Sequence, residues 1–218
     1  MADDIAIKDI DSYAKDLRKR IWITKGSRFI SSRTLSRKNE LSITSISFVS
    51  IYGIAITIIQ VIFASGQCKS LNDFYTVTSL LLSIFILVLS LLEGSKNYQV
   101  KAERLYKNAT SFAKLSKKLE YDIASHLEYK EFKEELESIR LEYEKLINNC
   151  PENHNPDDYF LFKVENRNEF NIDITITKEC WITAKCFIIF IMNYWLYYFF
   201  IIGVPIIFIF LFSTFRCS

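Results

Sequence analysis

The residues whose types and spacing could do chemistry are polar side chains set inside uncharged apolar runs. In residues 41–64, Ser50, Gly53, Thr57, Gln60 and Ala64 recur at three- and four-residue spacing. That spacing puts them on one face of a helix. In residues 74–92, Thr76, Ser79, Ser83 and Ser90 lie near one face in the same way. Two roles suit such faces. Small and hydroxylated residues let helices approach closely in lipid and hydrogen-bond across the contact. The same residues could instead line a water-filled pore in an oligomer. Gln60 is the candidate constriction, because an uncharged amide near the outer end of its run would not select strongly by charge.

Other chemistries find little support. The two histidines, His126 and His154, have no cysteine or carboxylate at metal-ligand spacing, so both are expected at the surface. The five cysteines, Cys68, Cys150, Cys180, Cys186 and Cys217, form no Cys-x-x-Cys pair. Phosphate-cradling loops, nucleophile elbows and zinc-protease motifs are absent from a chain with only five glycines. The sequence therefore reads as a non-enzyme without cofactor or metal, and no direct nucleic-acid binding is expected. Asn108–Thr110 match a glycosylation sequon, but the topology below places them inside, where it has no meaning.

Three elements must position the polar faces. Residues 41–64, 74–92 and 187–212 carry no charge. A helix needs about 20 apolar residues to cross about 30 Å of hydrocarbon. Three such runs are hard to bury in 218 residues, so a membrane protein is expected. Arg28, Arg33, Arg37 and Lys38 crowd before the first run, and Lys96, Lys101, Arg104 and Lys107 follow the second. Only Lys69 stands between them. Loops rich in Lys and Arg stay in the cytoplasm. The amino terminus is thus expected inside, the short connector outside and the chain after Glu93 inside. If the third run spans, the last residues are outside, where Cys68 and Cys217 could pair. Gly203 and Pro205 permit a kink in that run, and Trp195, Tyr197 and Tyr198 favour an interface. A half-inserted third segment stays open.

The expected fold is an all-α membrane protein. Residues 1–40 form an amphipathic, basic amino-terminal segment with Ile10, Ala14, Leu17 and Ile21 on one stripe. Residues 41–92 form a transmembrane hairpin. Residues 93–148 form a long helical segment in which Tyr98, Leu105, Phe112 and Leu119 recur every seven residues. Phe132, Leu136, Ile139, Tyr143 and Leu146 continue in another register. Such a seam wants another helix, as in a coiled coil, and homo-oligomerisation is expected. The two registers leave either one helix that slips near residue 125 or a hairpin. The later, acidic register either projects away or folds back on a basic one. Residues 149–185 form a loop and a membrane-proximal segment, with Ile172, Ile174 and Ile176 alternating as in a strand. Residues 186–213 form the third transmembrane or membrane-associated helix.

The order of "RFISSRTLSRKNELSITSISF", two close spans and "EGSKNYQVKAERLYKNATSFAKLSKKLE" resembles the bacterial SLATT family, the SMODS- and SLOG-associating two-transmembrane effector domains. The fifth SLATT subfamily is the nearest, and "DDYFLFKVENRNEF" extends the resemblance towards the carboxy terminus. Arg28 and Arg33 correspond to the family's basic positions before the spans, and Tyr98, Glu103 and Leu105 to its positions after them. The resemblance implies an inner-membrane effector of an anti-phage or conflict system. It implies a neighbouring sensor, such as a nucleotide second-messenger synthase or reverse transcriptase. It also implies a breach of the membrane that arrests or kills the infected cell.

Overall fold

A computed structural model describes residues 2–64, 69–125, 129–171 and 175–214, with side-chain surroundings for 10–62, 72–125, 129–171 and 175–210. The described residues are all-α. The first helix, α1, runs unbroken over Ala2–Ile59 and passes into a π turn at Gln60–Ala64. No proline interrupts it, and its two glycines sit where other side chains come close. Then follow α2 (Lys69–Ser95), α3 (Tyr98–Ala124), α4 (Tyr129–Asn148), α5 (Pro156–Glu165), α6 (Ile176–Tyr198), a π turn at Phe199–Gly203 and α7 (Val204–Thr214).

The breaks have local causes. Between α2 and α3 the chain turns through Gly94 and Asn97. Asn97 takes a left-handed conformation at φ 50°, which Asn tolerates better than most residues. Asn155 caps α5 with Pro156 following it, and the Asn155 backbone N–H donates to Asp158 Oδ2 at 3.0 Å. The strand-like alternation at Ile172, Ile174 and Ile176 does not yield a strand at its described end: Ile176 opens α6. Ile172 and Ile174 lie outside the described residues, as do His126, Cys68 and Cys217. The kink allowed at Gly203 and Pro205 is realised as the π turn, where Gly203 lies under the Phe199 ring.

The chain divides into two compact units, residues 1–36 with 99–183 and residues 37–98 with 184–218. The first is a helical bundle. Ala14, Leu17 and Ile21 of α1 bury against Phe112, Leu115 and Leu119 of α3 and Leu136 and Ile139 of α4. This resolves the open alternative at residue 125. The two registers belong to two helices that share one core, as a hairpin does. The acidic helix lies back on the basic one, with Lys118 Nζ 3.0 Å from Glu135 Oε2. The α5 helix adds an aromatic cluster. Trp22 stands 4.7 Å from Phe162 and 5.4 Å from Phe170, ring centre to ring centre. Gly26 is required there, because a Cβ would fall 1.9 Å from a Phe162 ring carbon.

The second unit joins the apolar parts of α1, α2, α6 and α7. Val49, Leu89 and Phe200 form one buried cluster, and Ile56 with Tyr75 forms another that reaches Phe208. Most other large apolar side chains of these helices are exposed, among them Ile54, Val61, Leu80, Leu91, Ile202 and Ile209. Helices that are apolar on their outward face suit a lipid solvent.

Candidate functional site

In the second unit the polar faces read from the sequence fall into two arrangements. Gly53 is a packing position, with its would-be Cβ 3.6 Å from Leu82 and 3.8 Å from Ile86. Gln60 stands in the π turn, and its amide donates to Asn72 Oδ1 at 3.0 Å and Thr76 Oγ1 at 2.7 Å. The remaining hydroxyls bond within their own helix. Ser50 donates to Ile46 O and Thr57 to Gly53 O, both at 2.9 Å. Thr76 donates to Asn72 O at 2.9 Å, Ser79 to Thr76 O at 3.0 Å and Ser83 to Ser79 O at 2.8 Å. These back-bonds satisfy a hydroxyl without a neighbouring helix. Thr57, Ser83 and Ser90 are exposed, and among the described residues none of them bonds to a neighbouring helix; Thr76 is exposed too but accepts from Gln60.

Among the described residues, the buried charged side chain of this unit is one that periodicity did not select. Glu93, at the end of α2, has a side chain only 5% exposed. Its Oε1 accepts from Lys96 Nζ at 2.5 Å and its Oε2 from the Tyr197 hydroxyl at 3.0 Å. Ser42 of α1 adds a third side-chain hydrogen bond, and Tyr98 bonds to Tyr197. One carboxylate thus ties α1, α6 and the turn after α2. A buried charge persists only when paired and hydrogen-bonded. Beside this network Arg37 lies over Phe190 and Tyr194, 5.4 and 5.2 Å from the ring centres, a cation–π seat for one of the basic positions before the first span. The signal in the sequence was Glu93 itself, set directly against Leu91 and Leu92. Without a partner in view it read only as the point where the chain returns.

The first unit holds a buried cation. Arg28 is 3% exposed, stands 5.2 Å from the Phe112 ring centre and donates to Asn108 Oδ1. Asn108 in turn donates to Leu146 O at 2.8 Å. Burial lowers the Arg28 pKa, partly offset by Cys150 and Tyr143. His154, expected at the surface, is half-buried instead, and its Nδ1 is buried without a hydrogen bond. Burial and then the Arg28 charge push the imidazole below its ordinary pKa, while Asp158 acts against them. Arg33 pairs with Glu165 at 2.8 Å on the surface. Lys38 is half-buried. Tyr98 of the seam belongs to the Glu93 network, whereas Leu105, Phe112 and Leu119 are buried in the first unit. Among the described residues no cluster of His, Cys, Asp or Glu is placed to hold a metal ion.

Three long helices are apolar enough to cross a membrane, and with an all-α fold they define a multi-pass membrane protein. A model of the family described as SMODS and SLOG-associating 2TM effector domain family 5 matches residues 10–211. The chain belongs to this family, and is a membrane effector of that kind. The match runs through α6 and into α7, so the third apolar helix lies within the matched region. No curated protein and no solved structure matches the chain.

Proposed function

We propose that the protein acts in a bacterial anti-phage or conflict system by opening a pore in the inner membrane when a cytoplasmic sensor activates it, so that the infected cell arrests or dies. The observation that carries this reading is the set of exposed hydroxyls of Thr57, Ser83 and Ser90, which among the described residues bond to no neighbouring helix, together with the exposed Gln60–Thr76 hydrogen bond. In a homo-oligomer these groups would line a water path. The surrounding apolar side chains would meet lipid. The Glu93 network is the closed-state latch, since it holds α1 and α6 to the turn after α2. The reading includes no enzymatic step and no cofactor. The amino terminus, the Glu93 end of α2 and the α3–α4 pair lie in the cytoplasm, on the charge asymmetry of the flanking segments.

The test is to express the protein with its neighbouring genes, infect with phage and follow membrane potential with a dye. Depolarisation should accompany arrest. Cells that arrest with polarised membranes would sink the pore. Glu93→Gln should depolarise cells without infection, because an amide cannot hold both Lys96 and Tyr197 as a carboxylate does. A silent Glu93→Gln protein that inserts normally would remove the latch from the proposal.

A further inference from the structure

We propose that the first unit binds a phosphate-bearing anion of at least two negative charges in a groove along the amino-terminal part of α1. The groove encloses about 670 Å³. That volume lies within the range of small-molecule sites. Lys15, Arg18, Lys19 and Lys25 line one side, and Trp22 stands among them as an apolar floor. The spacing 15, 18, 19, 22, 25 is one helix face, so the continuity of α1 places all four cations together. Opposite them stand two carboxylates, Glu120 and Glu169.

The charge count is unequal. Four cations face two acids, an excess of two positive charges. Arg18 already pairs with Glu120 at 3.4 Å, and Glu120 also accepts from Ser116 at 3.4 Å. Among the described residues Lys15, Lys19 and Lys25 form no ion pair. Lys25 is half-buried, so its charge is less screened than on an open surface. Lysines supply point charges for phosphate, and the Arg18 fork suits two of its oxygens once Glu120 gives way. A ligand with two or more phosphate charges neutralises the excess, and a flat apolar part has Trp22 to rest on. Nucleotides have this chemistry, and the two-phosphate headgroup of cardiolipin shares its charged part.

The experiment uses the full-length protein in phosphatidylcholine nanodiscs, with labelled ATP as the soluble probe and cardiolipin-containing nanodiscs as the lipid arm. No conductance is read, so the result is independent of the pore. Lys19→Glu and Lys25→Glu should each weaken binding about tenfold. Glu120→Gln should tighten it about threefold, because Arg18 loses its internal partner. Lys101→Glu, exposed on α3 outside the groove, should change nothing. Binding that tracks these variants with ATP assigns a soluble ligand. Competition of cardiolipin, whose headgroup carries two phosphates, for the same residues assigns a headgroup. A Kd above about 1 mM in the first arm with no competition in the second overturns the proposal. So does binding that Lys19→Glu and Lys25→Glu leave unchanged.

Discussion

At the residue scale, the consequences of burial differ sharply by chemistry. The His154 imidazole is held below its ordinary pKa by burial and by Arg28. Its neutral form therefore belongs to the folded state. The sign follows: the contribution is present above the unfolded pKa of about 6.5 and is lost as pH falls towards the lower folded value. The first unit should melt earlier at pH 5.5 than at pH 7.5 when followed by limited proteolysis. His154→Gln should flatten that dependence. An unchanged slope in the variant would show that another group titrates. Gly26 gives a steric prediction. Gly26→Ala sets a Cβ against the Phe162 ring and should cost about 1–3 kcal/mol, the usual range for overpacking. Adding Phe162→Ala should recover part of the loss caused by Gly26→Ala, and the thermal midpoints of the single and double variants test it.

At the element scale, the seven-residue seam of α3 is consumed inside the chain. Phe112 is fully buried against α1 and α4, 5.5 Å from the Tyr143 ring. Phe112→Glu should therefore unfold the first unit, at a cost of several kcal/mol for an unpaired buried charge. Loss of assembly and toxicity would follow from that. Lys117→Glu, exposed on the same helix, should matter little. Protease resistance separates the two variants, and a Phe112→Glu protein as resistant as the parent would contradict the packing. The same core bears on the alternative to a pore, a non-conducting membrane anchor or scaffold whose helical domain, residues 94–180, recruits a partner. Residues 94–180 alone lack Ala14, Leu17 and Ile21, which form one wall of the bundle. A fragment that is to bind a partner should therefore carry α1 as well.

At the scale of the whole molecule, topology is the quantity to measure. Alkaline phosphatase and a cytoplasmic reporter fused after residues 70, 120 and 218 should report outside, inside and outside. An inside signal at 218 would mean that α6 and α7 together do not cross. The π turn at Phe199–Gly203 makes that end the informative one, because it interrupts the regular hydrogen-bond ladder where the helix is most apolar.

The sequence by itself determined the membrane class, the three apolar helices and the family. Each of these rests on uncharged length, flanking charge or a run of residue types, all of which are local along the chain. The amphipathic stripe of Ile10, Ala14, Leu17 and Ile21 was equally plain, because helical periodicity is local too. What tertiary structure alone decided is which surfaces meet. A heptad seam looks the same whether its partner is another copy or the chain's own α1 and α4. Glu93 looks like a flanking charge beside its neighbour Lys96 until Ser42 and Tyr197, the latter 104 positions away, converge on it. His154 looks like a loop histidine until Arg28, 126 positions earlier, comes beside it. Burial and pairing are properties of three-dimensional neighbours, and one-dimensional spacing reports them only when the neighbours share a helix.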